Sequence, residues 1–188
     1  MTPDNTASED ADSCLTAASG VFLFNAARGI TQFRPDRSAE QYAAGGMSVN
    51  ILIIDGQGGR MGKSLAEEIR KICPDASITA VGTNSIATGN MMKANAADHF
   101  ATGENAVITA CRKAQIIVGP IGIAMADAMM GEISPAMANA VASSPAYRVL
   151  IPMNLCDTYV AGTVKGSSAI LADAMEHIRQ LTERKTDE

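Results

Sequence analysis

The stretch Val49–Arg70, with the sequence VNILIIDGQGGRMGKSLAEEIR, decides the fold of this chain. It opens on a mostly apolar run that is typical of a buried strand, and a glycine-rich turn follows at residues 55–62. Apolar residues then recur at helical spacing from Leu65 to Ile72. In a strand, glycine turn and helix of this kind, the backbone can approach a ligand closely, and the amide groups and dipole at the helix start favour an anion. The stretch therefore predicts a loop that binds phosphate.

Length and composition narrow the class of protein. With 188 residues, 47% of them apolar, the chain suits one α/β domain with a sizeable core. A net charge of −5 provides no basic surface, so we expect no nucleic acid partner. No run approaches the roughly 18 apolar residues of a membrane span, and the N-terminus has no signal-peptide pattern. We therefore predict a cytoplasmic protein without a membrane partner.

Cysteine and histidine give few candidates for chemistry. The four cysteines, Cys14, Cys73, Cys111 and Cys156, are too far apart in sequence to form a CxxC pair, and there are two histidines, so we predict free thiols and no metal site. The candidate catalytic groups are His99, as a general acid or base in a turn, and Cys156, as a thiolate after a strand. The alternatives are a surface histidine and a small buried apolar residue.

Residues 1–46 differ in composition from the rest of the chain. They contain six acidic residues and three arginines, are rich in Ser, Thr and Ala, and show no sustained periodicity. Such a segment buries too little surface to offset its ordering entropy, so we predict a disordered extension. Met47 is the predicted start of the folded domain, a Rossmann-like nucleotide-binding domain over residues 47–188. The alternative for the extension is a partner-binding arm that uses Val21–Phe24.

Apolar runs and turn signals alternate along the rest of the chain. The predicted strands after the first are residues 77–81, 115–118 and 148–152, with a very short strand within 95–103 and an edge strand at 158–164. The predicted helices after the first are residues 85–94, 104–113, 123–130, 134–143 and 167–184. Because the strands are continuous apolar runs, helices should cover both faces of the sheet. The pattern predicts an α/β fold with a Rossmann-like, doubly wound, mostly parallel sheet of about five or six strands.

Ligands of such sheets bind at the carboxyl ends of the strands, and the Gly, Thr and Asn residues of this chain gather there. The glycine loop would hold phosphate, Thr83 or Asn84 would lie near a ribose, and the later strand exits would face the far end of the ligand. The candidate cofactor-binding residues are Gly56, Gln57, Gly58, Gly59, Arg60, Met61, Gly62, Lys63, Thr83, Asn84, Gly119, Pro120, Ile121, Gly122 and Asn154. Rossmann proteins usually carry an acid for the ribose hydroxyls where Thr83 and Asn84 stand, which argues against NAD.

The glycines follow the spacing Gly56-x-x-Gly59-x-x-Gly62, and the Walker A pattern fails by one residue because position 57 is Gln. Over about a dozen residues this loop resembles the nicotinamide-nucleotide loop of dihydrodipicolinate reductase. The G-x-x-G-R-M-G of that enzyme is matched by Gly56, Gly59, Arg60, Met61 and Gly62. Its His-His substrate motif and later glycine-rich substrate loop have no counterpart here. The local resemblance implies NAD(P) as cofactor and, for an enzyme, an NAD(P)-dependent oxidoreductase.

A second resemblance covers nearly all of the chain from Met47 onward. The segments IDGQGGRMGK, GTNSIAT, ATGENA, VGPIGI, MMGEISP and ILIPMNLC are similar to an uncharacterised bacterial family, the domain of unknown function with number 3842. This resemblance implies a small Rossmann-like domain and brings no established activity with it.

Three functions are compatible with these residues. The first is a domain that binds a nucleotide, an NAD(P)-like dinucleotide or another phosphorylated small molecule, with a homo-oligomer supplying the wall that so short a chain lacks. The second is a non-catalytic ligand sensor or accessory protein, because the sequence has no obvious pair of groups for proton transfer. The third is a thiol or metal carrier, which requires Cys111 and Cys156 to meet in space.

Overall fold

The computed structural model of the protein describes residues 48–152 and 166–183. Strands and helices alternate along it: β1 Asn50–Asp55, α1 Arg60–Ile72, β2 Ser77–Gly82, α2 Ser85–Met92, β3 His99–Thr102, α3 Glu104–Cys111, β4 Ile116–Pro120, α4 Pro135–Ser143, β5 Tyr147–Ile151 and α5 Ser167–Glu183. A 3-10 turn, Ile121–Ala124, follows β4. The predicted extension at 1–46, the predicted start at Met47 and the predicted edge strand at 158–164 lie outside the described residues.

The five strands form one parallel sheet in the order β3-β2-β1-β4-β5. In the central strand β1, Ile53 is opposite Ala80 of β2 and Val118 of β4. From β1 the chain moves outward through β2 and β3, then returns to β4 on the other side of β1 and continues to β5. The point between β1 and β4 is therefore the topological switch point, where open α/β sheets bind ligands. The predicted Rossmann-like, doubly wound parallel fold is confirmed.

Helices cover both faces of the sheet, because alternate side chains of β1 enter two separate apolar layers. Ile51 and Ile53 belong to the layer that contains side chains of α1, α2 and α5. Leu52 and Ile54 belong to the layer that contains side chains of α3 and α4. The largest fully buried side chains are Ile51, Leu52, Ile53, Ile54, Leu65, Ile69, Ile78, Met91, Ile117, Ile123, Ile133 and Ile178. Aliphatic residues and methionine thus build the core of a chain that has no tryptophan.

Two helices begin with a side chain that caps the first turn. At the start of α2, Asn84 Oδ1 accepts a hydrogen bond of 2.8 Å from the Ala87 amide. At the start of α4, Ser134 Oγ accepts from the Met137 amide, and Pro135 occupies the first helical position. Within residues 48–152 and 166–183, no helix is both long enough and apolar enough to cross a bilayer.

The predicted helix at residues 123–130 is wrong. After the 3-10 turn the chain forms loop 125–133, in which Asp127, Met129 and Met130 have φ angles of 61°, 57° and 61° and Gly131 has 85°. Left-handed backbone costs about 1–2 kcal/mol at each non-glycine residue. The loop forms because the side chains of Met129 and Ile133 are buried in the α3/α4 layer. This burial outweighs both the cost of the left-handed backbone and the tendency of residues 123–130 to form a helix.

The amino edge of the sheet is tied together by the side chain of Arg70, near the end of α1. Its guanidinium donates to the carbonyl oxygens of Ala96, Pro74 and Ala76 at 2.7–3.0 Å. It also donates to Asp98 Oδ2 at 2.8 Å, and the same oxygen accepts from an amide of β2. Partial burial opposes the charge of Asp98, but these two hydrogen bonds and the positive charge of Arg70 outweigh it and hold the pKa of Asp98 below its ordinary value.

Replacing Arg70 by Lys should lower the free energy of unfolding by about 1–3 kcal/mol, because one ammonium group cannot reproduce a forked set of hydrogen bonds. Urea denaturation measures this change. The control is Lys71→Gln, which removes an exposed pair with Glu68 and should change stability by less than about 0.5 kcal/mol. Equal effects of the two substitutions would contradict the role given to Arg70.

Candidate functional site

The candidate site lies at the carboxyl edge of the sheet beside the switch point. Asp55 ends β1 and leads into the glycine loop, Thr83 follows β2, and Gly119 and Pro120 end β4. Ile121 and Gly122 come next, in the 3-10 turn at the same edge. The structure thus brings most of the predicted cofactor-binding residues to one edge. Asn154 and Cys156 lie outside the described residues.

Asp55 occupies the amides at the start of α1. Its Oδ1 accepts from the Gly56 amide at 2.8 Å, and its Oδ2 accepts from the Gly62 amide at 2.6 Å. The residue at the N-cap position is Gly59, which has no side chain, so Asp55 performs the capping from the end of β1. Its side chain is buried, and this burial raises the pKa of Asp55 against the opposing effect of the amide hydrogen bonds. Two of the amides that were predicted to hold phosphate, those of Gly56 and Gly62, are therefore bound by a carboxylate of the chain itself.

Glu132, on loop 125–133, supplies a second carboxylate. Its Oε2 accepts from the Gln57 amide at 2.7 Å, from Thr83 Oγ1 at 2.5 Å and from Asn84 Nδ2 at 2.9 Å. Partial burial opposes its charge, but the three hydrogen bonds outweigh it and hold the pKa of Glu132 below its ordinary value. The three donors come from the exits of β1 and β2, so together they form an anion site that loop 125–133 fills.

The glycine spacing is explained by packing within the protein. Gly59 has a φ of 64°, and a Cβ there would collide with the backbone of Ala87 in α2. A Cβ at Gly62 would collide with Met91 and Asp55, and one at Gly56 would crowd Met129 and Glu132. Each glycine admits a neighbouring part of the chain, which is the same close approach that a phosphate loop offers to a ligand.

The basic residues of the loop point to solvent. Arg60, the first residue of α1, is exposed. Lys63 Nζ lies 3.8 Å from Glu67 Oε1, with both side chains about two-fifths exposed (42% and 41%). The Lys63–Glu67 pair is so exposed that it contributes little to stability, so the side chains of Arg60 and Lys63 are available to a ligand.

Gly58, in the same loop, is only partly buried, and its carbonyl oxygen accepts from Asn90 Nδ2 at 2.8 Å.

The other chemical candidates lie elsewhere. His99 is the first residue of β3, so it is exposed at the amino edge of the sheet, opposite the glycine loop. Cys111 is buried, and burial raises the pKa of its thiol to about 11, which makes a poor nucleophile or metal ligand. Cys111 lies in the α3/α4 layer, whereas Cys73 is buried on the other face of the sheet, in the layer that contains α1, α2 and α5. Among the residues that the structure describes, no group of three or more His, Cys, Asp or Glu side chains could hold a metal ion.

Glu132 is the site residue that sequence reasoning missed. It lies 49 positions beyond Thr83, and it meets Thr83 only through the folding of loop 125–133. At the end of β2 the sequence has the neutral residues Thr83 and Asn84, where Rossmann proteins usually have an acid. In the structure an acid does lie there, supplied from another part of the chain. No residue pattern near Glu132 signals this contact, because its partners lie 48 to 75 positions away in the sequence.

A comparison with protein families decides where this chain belongs. The family model described as Domain of unknown function (DUF3842) matches residues 50–184. The chain belongs to this family. The DUF3842 match contains all the described residues of the candidate site, and it confirms the wider of the two resemblances predicted from the sequence.

The chain was also compared with curated proteins and with solved structures. No curated protein matches the sequence of the DUF3842 chain, so the resemblance to dihydrodipicolinate reductase remains limited to the glycine loop. Among solved structures, a dodecameric FMN-dependent UbiX-like decarboxylase from Escherichia coli O157:H7 is similar at 17% sequence identity and a TM-score of 0.36. That likeness covers 71% of the DUF3842 chain and 75% of the decarboxylase chain.

Replacing Gly59 by Ala should destabilise the DUF3842 chain by about 3 kcal/mol or more without any ligand present, because strain at positive φ adds to a collision with backbone. The matched control is Gly58→Ala, whose Cβ would meet only Arg60, at 3.9 Å, and should be nearly neutral. Thermal and urea unfolding measure both variants. A stable Gly59→Ala protein would contradict the packing explanation of the glycine spacing.

Replacing Glu132 by Gln keeps an acceptor oxygen and removes the charge, so we expect a loss of about 1–2 kcal/mol at pH 7 from weaker hydrogen bonds. Because the folded-state pKa of Glu132 is lowered, its contribution is present above about pH 4.5 and is lost as the pH falls through the folded-state pKa. Urea unfolding from pH 7 to pH 3 should therefore show the wild type and the variant converging in acid. Glu67→Gln, an exposed control, should match the wild type throughout.

Proposed function

We propose that the DUF3842 chain binds a phosphorylated small molecule of the nucleotide class, with a phosphate oxygen in the position that Glu132 Oε2 now occupies. The observation that carries the proposal is the convergence of three neutral donors on this one anionic oxygen, at 2.5–2.9 Å. Backbone amides and short polar side chains at strand exits are common partners of phosphate oxygens. NAD(P) is one member of this ligand class.

The position of these donors in the fold supports the proposal. Gln57 follows β1 and Thr83 follows β2, at the carboxyl edge and next to the switch point between β1 and β4. Since Asp55 already caps α1, the proposed phosphate position is not the helix start itself. It lies between the glycine loop and the start of α2, where Asn84 donates.

The charges at this edge set a condition on binding. The carboxylates of Asp55 and Glu132 are close enough for the charge of Glu132 to contribute to the raised pKa of Asp55. A phosphate that entered beside both of them would be repelled, so Glu132 has to leave when the ligand binds. Arg60 and Lys63, exposed at the start of α1, would then face the remaining phosphate charge.

The same geometry favours binding without catalysis, the sensor hypothesis, over an oxidoreductase. His99 begins β3 at the opposite edge of the sheet. Asp55, the carboxylate that stays at the loop when Glu132 leaves, is engaged by the amides of Gly56 and Gly62. We also propose a homo-oligomer. Two large apolar side chains near this edge, Ile86 and Met130, are 68% and 91% exposed, and a second copy of the chain would cover them.

A thermal-shift panel tests the proposal. The panel contains inorganic phosphate, AMP, ATP, NADH and NADPH, with adenosine as the matched compound that lacks phosphate. At least one phosphorylated compound should raise the unfolding temperature by about 5 °C at a hundredfold excess over its Kd, and adenosine should not. A change in the fluorescence of NADH or NADPH on titration with the protein measures binding of these two compounds independently of unfolding.

The donors are tested in a background that lacks the competing carboxylate. Glu132→Ala should still bind the stabilising compound, and adding Thr83→Val should weaken binding about tenfold, because one donor is lost. Ser85→Ala, which removes an exposed hydroxyl one residue beyond Asn84, is the control and should leave the affinity unchanged. The proposal would fail if no phosphorylated compound stabilised either the wild type or Glu132→Ala.

A further inference from the structure

We propose that loop 125–133 is a lid over the anion site, with Glu132 as an internal ligand that a phosphorylated compound replaces. This inference rests on the function proposed above and adds its regulation. The site would be closed by the chain itself when empty, so that ligand binding and movement of the loop become one event. Such a coupling is what a ligand sensor needs, because binding then changes the shape of a surface.

Two contacts hold the loop closed. The first is the set of three hydrogen bonds to Glu132 Oε2. The second is Met129, which is 5% exposed and lies against Gly56, where a Cβ would collide with its sulfur atom. Both contacts are made to the β1 and β2 exits, which are the residues that a ligand would contact. A ligand cannot occupy the donors while the lid is closed.

Other features favour opening. Asp127, Met129 and Met130 have left-handed backbone, which residues other than glycine adopt at a cost. Met130, at 91% exposure, gains nothing from the closed position. Residues 129–132 form a small unit within the loop, because the Glu132 amide donates to the Met129 carbonyl oxygen. They can therefore move together, while Asp127 and Ala128 stay hydrogen-bonded to the anchored Ile133.

The two ends of the loop are fixed. Ile123, in the 3-10 turn before it, and Ile133, at its end, are both fully buried in the α3/α4 layer. The N-cap of α4 follows at once with Ser134, whose hydroxyl also donates to Glu104 of α3. Movement is thus limited to the residues between these anchors, as expected of a lid with two hinges.

The test uses a substitution that touches neither the donors nor Glu132. Gly131→Ala places a Cβ in open space but at a φ of 85°, so it disfavours the closed loop through the backbone alone. Gly89→Ala is the matched control, because its Cβ would also meet nothing within 4 Å and its backbone is helical. Glu132→Ala removes the internal ligand directly.

The first readout needs no ligand. Methionine residues labelled with carbon-13 at the methyl group report burial by NMR, and Met129 and Met91 lie against neighbouring glycines of the same loop. In Gly131→Ala and Glu132→Ala, the Met129 signal should move toward that of solvent-exposed Met130, while Met91 stays unchanged. An unchanged Met129 in both variants, or an equal movement of Met91, would overturn the lid.

The second readout is affinity for inorganic phosphate, measured by titration of the same NMR signals. Gly131→Ala and Glu132→Ala should bind phosphate about fivefold or more tightly than the wild type and Gly89→Ala, because less of the protein is closed. Equal affinity in all four proteins would overturn the lid and leave the proposed function standing. Absence of phosphate binding even to Glu132→Ala would overturn the placement of a phosphate at the Glu132 donors and, with it, this role of the loop, whereas the proposed function as a whole falls only if the other phosphorylated compounds of the panel also fail to bind.

Discussion

The buried carboxylate of Asp55 fixes the way in which β1 turns into α1. The turn contains four glycines and its N-cap residue has no side chain, so little else in it specifies a conformation. Two hydrogen bonds to the amides of Gly56 and Gly62 close the turn on itself. Because α1 then starts at a defined place, α2 can pack on Gly59, and the exits of β1 and β2 come together beneath loop 125–133. The arrangement around Glu132 depends on this turn.

A carboxylate in this position also changes what the glycine loop offers to a ligand. In many α/β proteins the helix start binds an anion from outside. Here the anion at the helix start is part of the chain, and a second one, Glu132, fills the neighbouring donors. The electrostatic preference that the sequence suggested is therefore present, but the protein satisfies it internally. The donors around Glu132 become free when loop 125–133 moves, whereas the amides of Gly56 and Gly62 are released only if the turn itself opens.

The sequence predicted the fold because each strand carries a strong local signal. The runs in β1 and β4 are apolar on both faces, and Ser134-Pro135 specifies the start of α4 without reference to the rest of the chain. The helix predicted at 123–130 failed because its conformation depends on the burial of Met129 and Ile133 against distant residues. For the same reason no local pattern could reveal Glu132, whose partners are 48 to 75 positions away.

The amino edge of the sheet stabilises the fold, and the carboxyl edge carries the candidate site. At the amino edge, Arg70 joins two connecting turns and Asp98 into one fixed unit. At the carboxyl edge, the side chains that matter are carried by a loop between two anchored ends. Because the amino edge is fixed independently, the carboxyl edge tolerates redesign: a new segment between residues 124 and 134 that keeps the buried side chains of Met129 and Ile133 would leave the core and the strand order unchanged. The scaffold is thus suited to evolving or engineering different recognition properties through one exchangeable segment.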